Sequence, residues 1–278
     1  MRQVLRLLVM GPVLVPMLLA GGCGQSGTSA PPGGQNPAAP TSAPRSPASP
    51  AASLSSSAAS PAPASPPMTS PGTTAPPRTL ALGMAGADVR ALQSRLAALH
   101  YYPGPPDGRF GQNTLEALWA FQAVQGLAVT GSSGPATRQA LARPQIPGAL
   151  VPAGGARRVE IDLSRQLLVL YQSGQVALIS HISSGGGYHY CSPAGGCGYA
   201  VTPTGDFRTT VFLPGWITVP LGQMYKPVFF IGTAYAIHGS ASVPLQPVSH
   251  GCVRIPMIVA EFFHQLVPVP GTPVYIRR

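Results

Sequence analysis

Near its C-terminus the chain gathers the groups that thiol acyl chemistry requires. The segments are Ala236-Ile237-His238-Gly239-Ser240 and Ser249-His250-Gly251-Cys252-Val253-Arg254. A cysteine attacks as its thiolate, and a free thiol titrates near ~8.5. A neighbouring imidazole must therefore take its proton, and backbone N–H groups must face the oxyanion that forms on the attacked carbonyl. Cys252 is the expected nucleophile, and His238, at a strand end on a separate segment, the expected base across the sheet. Gly251 allows close approach, and the N–H groups of Gly251 and Cys252 are expected to form part of the oxyanion hole. No Asp or Glu lies in either segment, so His238 must be oriented by a hydroxyl, with Ser240 the candidate, or by a backbone carbonyl. Ser249 and His250 complete the catalytic segment, His250 reading better as support for the loop than as a second base. Gly239, Ser240 and Arg254 are the expected substrate contacts.

The other cysteines divide by position. Cys191 and Cys197 bracket a glycine-rich turn, Ser-Pro-Ala-Gly-Gly, and a disulfide is expected outside the cytoplasm. A metal set completed by His181 and His189 is the weaker reading, because no second cysteine pair supports it. Cys252 is then the odd thiol. Cys23 follows Arg2, Arg6 and an apolar stretch, residues 7–19, interrupted by Gly11, Pro12 and Pro16. That stretch is shorter than the ~20 residues of a spanning helix and reads as a secretory signal. Leu19-Ala20-Gly21-Gly22-Cys23 resembles a bacterial lipobox, with Ala20 where Leu is preferred. The resemblance implies lipidation of Cys23, with simple cleavage as the alternative.

Four segments must position these groups. Of 278 residues, 34 are Pro and 33 Gly, and only 9% are charged against the ~25% of an ordinary domain, which speaks against one continuous globule. Residues 1–23 are the signal, and residues 24–78, rich in Pro, Ala and Ser, read as a disordered tether that reaches on the order of 150 Å when extended. Residues 79–143 read as three helices. Val89, Leu92, Leu96 and Leu99 make one apolar face over 87–100, Leu115, Leu118, Trp119 and Phe121 another over 112–125, and Pro135 opens a third ending near 142. Residues 157–278 alternate in short strands, at 159–163, 167–171, 176–182, 207–212, 228–231, 234–238 and 274–276, with one helix at 258–266. The expected class is mainly β, a β-sandwich-like domain behind a small helical one. The net charge of +10 reflects a shortage of acids, seven in all, and no basic run points to nucleic acid. His100, His181 and His189 read as surface or loop positions and His264 as a helix-face residue. Trp216 and Tyr235 are candidates for a groove or its rim, and Asp206 for a turn.

Two resemblances follow from quoted residues. Gly86-Ala87-Asp88-Val89, Leu92-Gln93, the turn Asp107-Gly108-Arg109-Phe110-Gly111 with Thr114, and Ala120-Phe121-Gln122 with Gly126-Leu127 resemble the peptidoglycan-binding domain 1 family. This implies a wall-binding module. His238 with the Ser249–Arg254 block, the opening residues 159–167, and Thr202-Pro203-Thr204-Gly205-Asp206-Phe207 resemble the L,D-transpeptidase family, with a YkuD-like domain. Arg254 stands where Asn is often seen, the spacing from His238 to Ser249 is short, and residues 185–198 look inserted. The resemblance implies an enzyme without metal or cofactor whose Cys252 cleaves the L,D bond of a peptidoglycan tetrapeptide stem, passes through a thioester and makes a 3→3 cross-link. It also implies acylation by carbapenems, and action in the cell wall from a lipid anchor on the outer face of the membrane. The alternatives are an L,D-carboxypeptidase using water, and a catalytically silent wall-binding lipoprotein.

Overall fold

The computed structural model describes residues 77–278, so Cys23, the signal and nearly all of the tether lie outside the described residues. Helices α1 (Ala87–Ala98), α2 (Gln112–Val124) and α3 (Pro135–Ala142) form where the apolar spacing places them. Val89, Leu92, Leu96, Leu118, Phe121 and Leu141 meet in their core. Two buried glutamines brace the intervening turns. The Gln93 amide donates to the Asp107 carboxylate, the Arg109 carbonyl and the Thr114 hydroxyl (2.8, 2.9 and 3.0 Å), and its oxygen accepts from the Gly108 N–H at 2.8 Å. Gln122 does the same for the turn before α3, bonding Ser132 O, Thr137 Oγ1 and the Gly131 N–H. The polar residue after Leu92 and after Phe121 is therefore structural, a full set of hydrogen bonds replacing water around each buried amide.

The remaining chain forms β1 (Arg158–Asp162), β2 (Leu167–Gln172), β3 (Gln175–His181), β4 (His189–Cys191), β5 (Cys197–Tyr199), β6 (Gly205–Arg208), β7 (Trp216–Val219), β8 (Gly222–Ile231), β9 (Tyr235–Ser240), β10 (Val253–Pro256), α4 (Met257–Leu266) and β11 (Pro273–Arg277). One sheet runs β3-β2-β1-β11-β6, a second β10-β9-β8-β7, and β4-β5 is a separate ribbon. The two larger sheets enclose Val159, Ile161, Leu168, Leu170, Val228, Ile237, Val253 and Ile255, with Val259 and Phe263 of α4.

β2 reads Leu-Leu-Val-Leu-Tyr without alternation because both its faces are covered. Leu168 and Leu170 enter the sandwich, whereas Leu167, Val169 and Tyr171 join Ile179 in the helical core. The Ile179 N–H also bonds His100 O at 2.9 Å, and the Trp119 ring meets His181 edge-on at 5.3 Å. The helices and the back of the first sheet thus share one core.

Sequence reading missed β4, β5, β7 and β10 and began β8 too late. Pro227 interrupts the apolar pattern of β8, where the ladder with β9 shifts register between Tyr225 and Val228. His181, expected at the surface, is buried at the end of β3, its Nε2 3.1 Å from Pro244 O.

Candidate active site

β9 and β10 are parallel, with Ile237 opposite Val253 and His238 opposite Arg254. Ile237 and Val253 are buried in the sandwich, so the pleat sends His238 and Arg254 to the opposite face. Cys252, one residue before β10, shares that face. All three line a cleft of about 460 Å³. The β7–β8 turn with Met224 forms one wall, Thr233 to Tyr235 another, and Tyr190 with Ser192 of the β4–β5 ribbon a third.

The loop ahead of the thiol is held from both sides. Ser249 is buried; its hydroxyl donates to Cys252 O and accepts from the Gly251 N–H at 3.0 Å. Gly251 O accepts from Thr202 Oγ1 at 2.8 Å, which itself accepts from the Gly185 N–H at 2.9 Å. Gly251 has φ 136°, and a Cβ there would meet Tyr235 Cε1 at 2.7 Å and Val201 O at 2.9 Å, so only glycine fits.

His238 is buried, with Nδ1 2.9 Å from Gly239 O. A carbonyl only accepts, so Nδ1 carries the proton and Nε2 keeps its lone pair. Burial pushes the imidazole down to about 4; the Gly239 carbonyl opposes this and the Arg254 charge adds to it. Burial pushes the Cys252 thiol up, against the pull of the Ala236 N–H and Arg254. Cys252 is walled by protein yet open to the cleft, its Sγ 4.0 Å from Ala234 O. A thiol whose pKa is raised and an imidazole whose pKa is lowered thus line the same cleft, an acid and a base of the kind thiol acyl chemistry needs.

Three expectations need correction. Ser240 does not orient His238: its hydroxyl donates to Ser242 O at 3.0 Å, and the Gly239 carbonyl takes that role. Gly239 does not line the cleft, and the space beside its α-carbon is filled by Ala260, Met257 and Tyr225. The Gly251 N–H is committed to Ser249 and is not free to meet an oxyanion.

A model of the L,D-transpeptidase catalytic domain matches residues 156–276, and one of a peptidoglycan binding domain matches residues 85–141. The crystal structure of the L,D-transpeptidase (residues 123–326) from Xylanimonas cellulosilytica is 37% identical, with a TM-score of 0.67, over 73% of this chain and 99% of that one. The chain belongs to the L,D-transpeptidase family. Curated relatives match over short stretches. The N-acetylmuramoyl-L-alanine amidase CwlM of Mycobacterium tuberculosis is 46% identical over 56 residues, 20% of this chain and 14% of that protein. The spore cortex-lytic enzyme of Bacillus cereus is 46% identical over 61 residues, 22% of this chain and 24% of that one. The chain thus spans a quarter or less of these curated relatives.

In this L,D-transpeptidase family member the β4–β5 ribbon carries a Cys191–Cys197 disulfide. The donor atoms of His189, Cys191 and Cys197 lie within 4.8 Å of one another, but both sulfurs are spent in that bond, and His181 is buried elsewhere. Cys252 is the free cysteine among the described residues. His250 is held edge-on by Tyr190 at 4.8 Å and Tyr188 at 5.6 Å, so the ribbon braces the loop as well as walling the cleft. Sequence reading gave Tyr188 and Tyr190 no role; their alternation about His189 is too short to stand out. Tyr235 lines the cleft, whereas half-exposed Trp216 lies outside it beside Tyr225. Asp206, exposed on β6, pairs with Arg277 of β11.

Proposed function

We propose that the protein is a cell-wall L,D-transpeptidase with Cys252 as nucleophile and His238 as base. The observation that carries this is the β9–β10 register, which puts both on one face of one cleft, with His238 Nε2 free to accept a proton. The Cys252 thiol gives its proton to Nε2 as sulfur attacks the L,D amide carbonyl of a tetrapeptide stem. The tetrahedral intermediate collapses to a thioester, and His238 returns the proton to the departing D-amino acid. A second stem's amine then attacks the thioester, loses a proton to His238 and regenerates the thiol, leaving a 3→3 cross-link. Water in place of the amine gives L,D-carboxypeptidase activity.

Arg254 lines the cleft and has no carboxylate partner among the described residues, and no Asp or Glu lines the cleft. Its free charge suits a stem carboxylate. Ser249 and His250 act by holding the loop. Residues 79–143 anchor the enzyme to the polymer, and a lipid on Cys23 would tether it to the membrane. Mass analysis after incubation with disaccharide-tetrapeptide tests this reading: loss of D-alanine with formation of cross-linked dimer is expected, and an unchanged substrate refutes it.

A further inference from the structure

None of the residues of the β4–β5 ribbon enters the sandwich core or the helical core. The ribbon is two strands of three residues each, pairing His189 with Tyr199, Tyr190 with Gly198 and Cys191 with Cys197. A two-stranded hairpin of this kind is marginally stable on its own. Strand alternation gives it two faces. Tyr190, half-buried, lines the cleft and meets the His250 ring at 4.8 Å. His189, Cys191, Cys197 and Tyr199 are exposed on the outer face.

Two observations set the Cys191–Cys197 bond apart from a buried staple. First, its effect is local. The base of the ribbon is tied down without it: the Gly187 and Ala200 N–H groups donate to Ala200 O and Tyr188 O (both 2.8 Å), and the Tyr188 hydroxyl donates to Val248 O at 3.2 Å. Beyond Tyr190, the turn adds the Ser192 N–H to Gly196 O at 2.8 Å and the Gly195 N–H to Ser192 O at 2.9 Å, which do not tie the tip to the domain. Breaking the bond therefore frees the tip and Tyr190 while the base stays paired. Second, the bond is accessible and has a proton source beside it. Both cysteines are exposed, and exposed disulfides are the labile and regulatory ones. The His189 imidazole and both sulfurs lie within 4.8 Å of one another, so a small shift of an exposed side chain brings a proton to a departing thiolate.

We infer that Cys191–Cys197 is a thiol-exchange site for an external dithiol, and that its redox state sets how firmly the cleft holds its substrate. One thiolate of the dithiol attacks one of the two sulfurs. The S–S bond breaks, and the other sulfur leaves as a thiolate and takes a proton through His189. The second thiol of the dithiol then attacks the mixed disulfide, its proton passing to the cysteine released. Both cysteines end as thiols and the dithiol as a disulfide, two electrons having passed to the ribbon. With the tip free, Tyr190 leaves His250 and the wall of the cleft opens; reoxidation closes it. The hold on substrate rests on the reaction proposed above, whereas the exchange itself does not.

The test treats the full-length protein with dithiothreitol, without denaturant, and maps the thiols by alkylation and peptide mass. Cys191 and Cys197 should both become labelled while circular dichroism is unchanged. After the dithiol is removed, KM for disaccharide-tetrapeptide should be higher by about two- to tenfold, the worth of one aromatic contact, with kcat within about twofold. Reoxidation should restore it. The Cys191→Ser, Cys197→Ser double variant should show the raised KM from the start and no response to dithiol. Labelling of Cys252 by a bulky maleimide, which needs no turnover, should be at least about twofold faster in the reduced protein and in the double variant. His189→Ala should slow reduction by at least about threefold and leave the KM of the oxidised protein unchanged; a bond that is only a staple would show no such dependence. A bond that resists dithiol until the protein unfolds, equal maleimide rates in the two redox states, or a dithiol response that persists in the double variant would each overturn the inference. If tetrapeptide is not turned over at all, the proposed reaction fails, and the thiol map and maleimide rates still decide the switch.

Discussion

Burial disfavours the charged forms of both Cys252 and His238, and that has a kinetic signature. Burial is the largest influence on both, raising the thiol and lowering the imidazole to about 4. Both directions favour the neutral forms, so the proton is expected to rest on the thiol rather than the imidazole at neutral pH. A thiol with an ordinary pKa of about 8.5 is roughly 3% ionised at pH 7, and a raised one less. Alkylation of Cys252 by iodoacetamide should therefore rise about tenfold per unit between about pH 6 and 8. Arg254 favours the thiolate through its charge, and Arg254→Gln should slow alkylation at pH 7.5 by about three- to tenfold. Peptide mapping of quenched samples assigns the adduct to Cys252 rather than Cys23. A rate that is flat across this pH range would show a preformed ion pair and refute the reasoning.

Other outcomes follow from single contacts. Gly251→Ala places a methyl 2.7 Å from Tyr235 and 2.9 Å from Val201 O at a φ of 136°, and the displaced loop should cost at least about 100-fold in kcat. Glu116 is buried on α2 with Gln112 donating to it at 3.0 Å, and burial pushes it from 4.5 up to about 7. Its folded-state proton stabilises fully below pH 4.5 and that stability is lost as pH rises through about 7, so Glu116→Gln should melt higher than the parent at about pH 8 and match it near pH 4. Closing the short Cys191–Cys197 loop is worth about 2 kcal/mol, so the double Ser variant should fold, lose a few degrees in melting temperature and show a raised KM as Tyr190 loosens. Intact mass should rise by one carbapenem per chain, and the adduct should vanish in Cys252→Ala.

The helices were legible because their apolar spacing is regular and Pro135 marks a start. The Cys252 segment was legible because it is the odd thiol, flanked by Gly251 and His250, and His238 stood out as the histidine of an otherwise apolar strand, although β9 runs two residues past it to Ser240. Parallel pairing of β9 with β10 was not legible, since nothing local encodes which segment lies beside another. Nor was the choice of Gly239 O over Ser240 as the partner of Nδ1; both are within reach along the chain, and only the backbone turn decides. The unbroken apolar run of β2 was the visible sign that its second face is covered, but the sequence does not say by what. That Leu167, Val169 and Tyr171 face the helical core appears only once the helices are docked.

The most direct test is the intact mass of the enzyme quenched during turnover of disaccharide-tetrapeptide. The account predicts a chain heavier by the substrate less one D-alanine, held as a hydroxylamine-labile thioester that maps to Cys252 and is absent from Cys252→Ala. Turnover with no such adduct, or with the adduct on another residue, would contradict it.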